Sequence, residues 1–233
     1  MAKSKIIKDL ANSNIDTITA LKRAKVLFSE LGNEKLLNWV NFEISGYPLD
    51  ADLPSYRIEQ GSLMGSYMKG SMASHMKWTN VSIPLGKMPE DIKKEMLSIK
   101  FSEGVEALKQ LADEYSTGDK KLGKVIPADL FPAIATFNND PYMIITSAHV
   151  TVATHSIYNI FSMIESKLLD TLLLLEKEFG NLDELDLDIA SKSPEELSQI
   201  SDKITVIIYN DYSVSVGDNN TLKNSVIGQQ SND

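Results

Sequence analysis

The chain contains no cysteine, which removes three kinds of chemistry at once. Disulfide bonds, thiolate metal sites and cysteine nucleophiles are excluded, and the composition fits a reducing compartment such as the cytoplasm. Arginine is scarce as well, because Arg23 and Arg57 are the only arginines among 23 basic residues. The planar guanidinium group that binds phosphate at two points is therefore nearly missing. Together with a formal net charge of −9, this scarcity argues against nucleic acid as a partner.

Long hydrophobic runs are also missing. The N-terminal segment MAKSKIIKDLANSN is basic and has no continuous apolar stretch. We therefore expect no signal peptide and a cytoplasmic protein. One uncharged segment, residues 141–164, contains His149, His155, Asn159 and several Ser and Thr hydroxyl groups. Such a segment is too polar for lipid, so a membrane is not an expected partner.

What the chain does have is one long amphipathic pattern. It follows the strand-like run SAHVTVATH and ends at Gly180. Its apolar residues lie three and four positions apart, at Ile157, Ile160, Phe161, Ile164, Leu168, Leu172, Leu175 and Phe179. This spacing predicts a helix over residues 156–179, about 35 Å long, against which the other elements pack.

Shorter patterns complete a mixed fold. Helical spacing over 14–31 and 34–44, separated by Gly32 and Asn33, predicts an N-terminal helical hairpin. Alternating or β-branched runs predict strands at 56–59, 62–68, 77–84, 133–137, 142–152 and 204–208. We therefore expect an α+β protein with a helical hairpin, a small antiparallel sheet, one long core helix and a short β-forming C-terminal tail. The expected divisions are a domain over 1–180, an acidic linker with a short helix over 181–202, and the tail over 203–233.

Few residues offer catalytic chemistry. His149 and His155 have the same parity, so an unbroken strand would place both imidazoles on one face as a candidate acid/base or metal pair. No acidic residue lies between Asp140 and Glu165 to complete such a site, which favours two hydrogen-bonded structural histidines. His75 belongs to a Gly-, Ser- and Met-rich stretch that predicts a hairpin with a mobile tip or, alternatively, a Met-lined binding surface. Phosphate-binding glycine loops and His-Glu-x-x-His motifs are absent from the sequence, and no cofactor or metal is predicted.

A known family is recognisable in the N-terminal third. The string LKRAKVLFSELGNEKLLNWVNFEISGYPLDADLPSYR resembles the opening of the AbiTii domain of bacterial abortive-infection proteins. The matching positions are Leu21, Ala24, Leu27, Leu31, Gly32, Trp39, Glu43, Gly46, Tyr47, Leu53, Pro54, Tyr56 and Arg57. FSEGVEALKQL and KLLDTLLLLEKEFG resemble later blocks of the family, so the resemblance covers roughly residues 5–180. Glu165 departs from the pattern, since the family's long helix is expected to carry a basic residue there.

The resemblance implies a role in defence against bacteriophage and brings no catalytic residues with it. Its signature residues, Trp39, Glu43, Gly46, Tyr47 and Arg57, are expected to be structural or binding residues. We expect Trp39 and Tyr47 to be buried where the helical hairpin meets the sheet, with Arg57 paired to a nearby acid such as Glu43. Exposure of the signature around a common groove would instead indicate a binding site.

The C-terminal tail carries a different pattern. The string TVIIYNDYSVSVGDNNTLKNSVIGQQSND resembles tails of bacterial defence and signalling proteins with a G-D-N-N-x-x-x-N-S-x-I-G core. Short apolar pairs separated by GDNN are typical of stacked β-arches, and strands joined between copies would pair their open edges. A homo-oligomer is therefore predicted, through Val206, Ile208, Val214, Val216, Leu222, Val226 and Ile227. A disordered polar tail is the alternative.

Two functions from different classes follow. In the first, the chain is a non-enzymatic defence module that recognises a protein partner or a phage component and assembles through its tail. In the second, it is an effector enzyme, a nuclease or hydrolase, with a site built from His75, His149, His155 and scattered carboxylates. The sequence favours the first, because three histidines and no cysteine supply few groups for catalysis.

Overall fold

A computed structural model describes residues 3–71, 73–116 and 122–209. The helices are α1 Lys5–Ala11, α2 Thr17–Glu30, α3 Glu34–Ser45, α4 Glu90–Leu97, α5 Val105–Ser116, α6 Phe131–Phe137, α7 His155–Phe179 and α8 Pro194–Tyr209. The strands are β1 Ile58–Gln60, β2 Ser62–Ser71, β3 Ser74–Ser82, β4 Ser98–Lys100, β5 Leu122–Val125 and β6 Ile144–Val152. Short 3-10 turns occupy Ser55–Arg57, Ala128–Leu130 and Ile189–Ser191. The predicted α+β class is confirmed.

The long helix α7 is the central element, as its apolar spacing predicted. Its mid-stripe residues Leu168 and Leu172 are fully buried, and α1, α2, α5 and α8 all pack against it. None of the helices within the described ranges has the length and apolar character needed to cross a membrane.

The N-terminal helical hairpin is also confirmed. Asp16 caps α2 by accepting a hydrogen bond of 2.7 Å from the backbone N–H of Thr19. Gly32 then adopts a positive φ of 63°, which glycine tolerates without strain. The Asn33 side chain accepts bonds from the first backbone N–H groups of α3, so the second helix restarts at once and packs back against the first.

The main sheet is antiparallel with the strand order β3-β2-β6-β5, and a separate ribbon joins β1 to β4. One face of the sheet lies on the core, where Leu63 of β2 and Ala148 and Val150 of β6 are buried. β3, at one edge of the sheet, is exposed along most of its length. The register between β2 and β3 shifts beside Asn80, whose φ of 52° marks a bulge.

The segment after α7 packs closely on the domain. Leu182 and Leu187 are buried in the same apolar cluster as the core of α7, and the Leu182 N–H donates to Ser4 Oγ at 2.9 Å. Glu176 of α7 accepts bonds from both the N–H and the hydroxyl of Ser4, each at 2.6 Å. The N-terminus and residues 181–189 are therefore held together at one end of α7, while the division of the chain at 180 and 202 stays a prediction.

Two predicted strands are wrong. The run 133–137 lies in α6, because Pro132 sits in the first turn of a helix, where its missing N–H costs nothing. The run 204–208 lies in α8, although its β-branched residues indicated a strand. Reciprocal bonds between Ser193 and Glu196 form a capping box that begins this helix. Its buried residues, Ile200, Ser201, Ile204 and Ile208, have helical spacing.

The predicted oligomerisation residues fall into two groups. Val206 is 44 % exposed on α8, whereas Ile208 is only 1 % exposed and belongs to the core. The other five, Val214, Val216, Leu222, Val226 and Ile227, lie outside the described residues. Their part in assembly stays a prediction.

Candidate functional site

The five signature residues meet where α3 approaches the turn before β1. Trp39 and Glu43 lie one helical turn apart on α3 and therefore share a face. Gly46 ends the helix with a φ of 100°, and a Cβ there would approach the Ser102 carbonyl oxygen to 3.0 Å. Only glycine therefore allows the chain to turn and bring Tyr47 back against Glu43.

A buried ion pair forms the centre of this cluster. Arg57 Nη2 lies 2.5 Å from Glu43 Oε2, and Arg57 Nε contacts both carboxylate oxygens at 3.2 and 3.3 Å. The remaining guanidinium nitrogen, Nη1, donates to the carbonyl oxygens of Phe101 at 2.9 Å and Glu103 at 2.7 Å. Both charged side chains are 0 % exposed. The expected pairing of Arg57 with Glu43 is confirmed.

Two tyrosines complete the hydrogen bonds of the carboxylate, and a tryptophan donates to one of them. Tyr47 and Tyr56 each donate from the hydroxyl to Glu43 Oε1 at 2.6 Å. Trp39 Nε1 donates to the Tyr56 oxygen at 2.9 Å, and the Arg57 guanidinium carbon lies 4.9 Å from the centre of the Tyr47 ring. Trp39 is 1 % and Tyr47 8 % exposed, so the expected burial of both is confirmed.

The electrostatics of the cluster keep its groups in fixed protonation states. Burial, and then the Glu43 carboxylate, raise the pKa of Tyr47 and of Tyr56 well above the usual tyrosine range. Burial acts to lower the pKa of Arg57, but the Glu43 charge, the hydrogen bonds to Glu43 and the two tyrosines together outweigh it, and the pKa is raised. Both tyrosines therefore stay neutral donors and Arg57 stays charged at physiological pH. Four of the signature residues, Trp39, Glu43, Tyr47 and Arg57, are thus joined with Tyr56 by hydrogen bonds. We call these five bonded residues the signature network.

Lys167 connects the signature network to the last helix. It is 0 % exposed on α7, and its Nζ lies 5.6 Å from the centre of the Tyr56 ring. The same Nζ donates to the Ile207 carbonyl oxygen at 3.1 Å, in the last turn of α8. A cation is favourable there because the helix dipole is negative at its C-terminus. Sequence reasoning missed Lys167, although its helical spacing from Ile164 and Thr171 places it on the buried stripe.

The three histidines do not converge on a metal site. His149 is half-buried on β6 and lies between Met64 and Val125 in the sheet register. His155 is exposed in the first turn of α7, three residues after β6 ends, so the unbroken strand assumed for the pair does not exist. His75 is exposed on β3. In the part of the chain that the structure describes, no three His, Asp or Glu side chains are placed to hold a metal ion.

Open grooves lie around β5 and α6. One of about 740 Å³ lies between α6 and the start of β6, and a second of about 740 Å³ lies over β5 and β6 beside His149. A third, of about 550 Å³, lies between α4 and β5. The first two share Ala128 and Phe131, and the last two share residues 124–127, so the three adjoin one another.

Comparison with known proteins identifies a family. The family model described as AbiTii matches residues 4–199. No curated protein matches the chain, and no solved structure does.

Proposed function

The chain belongs to the AbiTii family, whose role is abortive infection in defence against bacteriophage, and from that premise we propose that it acts as a non-enzymatic scaffold or sensor. In this proposal the domain recognises a protein partner or a phage component. The C-terminal residues join copies of the chain, and the cytoplasm is where the protein works.

The state of the signature network carries the proposal. A catalytic carboxylate or arginine needs an open side from which a substrate can reach it. Glu43 and Arg57 are instead 0 % exposed, and the carboxylate and guanidinium nitrogens bond to protein groups. The residues that most clearly define the family in this sequence therefore support a structural role, which leaves the surface for binding.

An infection assay tests the proposal. Bacteria producing the full chain are challenged with phage beside bacteria producing a chain that ends at Tyr209, the last residue of α8. Cutting at this point keeps α8, whose Ile204 and Ile208 are part of the core. We expect the shortened chain to fold, to lose protection, and to have a lower mass in size-exclusion chromatography with light scattering. Equal mass and equal protection would contradict the proposed role of the tail.

A second set of variants separates a scaffold from an enzyme. His75, His149 and His155 are replaced together by Gln, which keeps polar side chains of similar size. A scaffold keeps its protection against phage in this variant. Loss of protection in a variant with unchanged melting temperature and mass would instead support the effector enzyme.

A further inference from the structure

The strand β5 has an open edge. On its inner side the backbone N–H of Ile126 donates to the Ala148 carbonyl oxygen of β6 at 3.0 Å. Because successive residues of an antiparallel strand direct their backbone groups to opposite sides, the N–H and C=O of Val125 point away from β6. Within residues 122–209 and the other described ranges, no hydrogen bond joins them to another segment. The Val125 side chain is also 81 % exposed.

The groove between α4 and β5 runs beside this edge, and we call it the apolar trough. Its apolar lining comes from Ile92 and Met96 of α4 and from Leu130 in the turn after β5. Ile92 and Leu130 are each 41 % exposed. Lys124 spans one end, where its Nζ donates to the Ser98 carbonyl oxygen at 2.6 Å. An unpaired strand edge next to an apolar trough is the geometry that accepts an added strand from another segment.

The other edge of the sheet is protected against such pairing. Asn80 adopts a positive φ of 52° at the bulge of β3, and Lys77 is exposed on the same strand. A bulge keeps a natural edge strand from pairing, and β5 has no register shift against β6, although each edge carries one exposed lysine, Lys77 on β3 and Lys124 on β5. The two edges therefore differ, and the β5 edge is the one suited to an added strand.

The tail offers a segment that fits. Residues 212–216, YSVSV, alternate apolar and polar side chains and carry no charge. Alternation places Tyr212, Val214 and Val216 on one face of an extended strand. Residues 210–233 follow the end of α8, and an extended chain covers about 3.3 Å per residue, so they span up to roughly 80 Å. An uncharged strand also adds no repulsion between chains that each carry a net charge of −9.

We propose that residues 212–216 of one copy add as a strand to the open edge of β5 in a second copy. Main-chain bonds to Val125 hold the strand, and Tyr212, Val214 and Val216 cover Ile92 and Leu130. The inference rests on the proposed function, since it names the acceptor for the tail. It differs from tail-to-tail packing, in which β5 takes no part.

Cysteine cross-linking identifies the acceptor, because the natural chain has no cysteine to interfere. Two differently tagged full-length chains, one with Leu130→Cys and one with Val214→Cys, are produced together and oxidised. We expect a disulfide-linked pair that carries both tags. Ser213→Cys, on the opposite face of the strand, and Val26→Cys, 44 % exposed on α2, serve as matched controls and should give little product.

The pattern of disulfides separates the possible outcomes. Links between two Val214→Cys chains without links to Leu130→Cys would overturn the inference and leave tail-driven assembly standing. Monomeric disulfides in a chain carrying both Leu130→Cys and Val214→Cys, without linked pairs, would overturn the second copy as the partner. Equal mass for the full chain and the chain ending at Tyr209 would contradict the proposed function itself.

A proline at the edge gives an independent test. Val125→Pro removes the outward N–H while leaving the bond from Ile126 to β6, and proline is tolerated at strand edges for this reason. Val125→Thr keeps the N–H and the branched shape. We expect Val125→Pro to lower the mass to that of the chain ending at Tyr209, with an unchanged circular dichroism spectrum, and Val125→Thr to keep the full mass. Full mass in Val125→Pro, with a lower mass in the shortened chain, would overturn the inference alone.

Discussion

Replacing Glu43 with Gln should destabilise the protein strongly. The change keeps the size and shape of the side chain but removes its negative charge. Arg57 then remains at 0 % exposure without its counterion, and an amide NH2 takes one of the positions that now accept hydrogen bonds. Breaking a buried ion pair by removing one partner costs about 3 to 5 kcal/mol. Domains have total stabilities of about 5 to 15 kcal/mol, so a large share of the folding free energy would be lost.

Urea unfolding followed by tryptophan fluorescence measures this loss, since Trp39 donates to Tyr56 inside the network. The matched control is Glu90→Gln, which removes the acid of a surface pair with Lys93. Glu90 is 87 % exposed, and exposed pairs contribute about 0 to 1 kcal/mol. A Glu43→Gln variant within about 1 kcal/mol of the wild type would refute the reasoning, because Arg57 would then have found water or another partner.

Three further changes test the packing around α7. Leu168→Ala should cost about 2 to 5 kcal/mol in chemical unfolding, since Leu168 is fully buried at mid-helix; less than 1 kcal/mol would mean that the face is loosely packed. Burial acts to raise the pKa of Glu176, but hydrogen bonds from Lys3 and Ser4 outweigh it and lower the pKa to about 2. Because the pKa of Glu176 is lower in the folded than in the unfolded chain, its charge stabilises the fold. This stabilisation is fully present above the ordinary pKa of 4.5 and is lost as the pH falls towards 2. The stability difference between wild type and Glu176→Gln should therefore be large at pH 6 and small near pH 2, and a pH-independent difference would contradict the role of the charge. Lys167→Met keeps the length but removes the donor, so the end of α8 should show faster amide hydrogen exchange than in the wild type, whereas unchanged exchange would show that the bond does not hold the helix end.

The sequence correctly predicted those elements in which the spacing of apolar side chains and the capping residues indicate the same structure. The α2–α3 hairpin has Gly32 and Asn33 at the positions that end one helix and begin the next. The signature network was predictable in part, because Trp39 and Glu43 share a helix face and Arg57 is one of only two arginines. Tyr56 was one of the positions that match the family pattern, but the residues around it did not indicate that it donates to Glu43 and accepts from Trp39.

Other elements were misread because tertiary packing overrode local propensity. The run 204–208 contains Ile204, Thr205, Val206, Ile207 and Ile208, which favour strands. The helix forms because its inner residues pack against α7 and its start is capped by Ser193 and Glu196. The grooves around β5 could not be predicted from the sequence for a different reason. They lie between elements that are far apart in sequence, so no local pattern indicates them.

Lys167 connects the buried signature network to α8, the helix that precedes the tail in the sequence. Its Nζ contacts the Tyr56 ring on one side and the Ile207 carbonyl oxygen on the other. Ile207 lies two residues before the end of α8, after which the chain continues into the tail. Packed groups that share a residue constrain each other's positions. The network therefore helps to hold the end of α8, so in the proposed assembly a closed set of buried residues would act without contacting any partner.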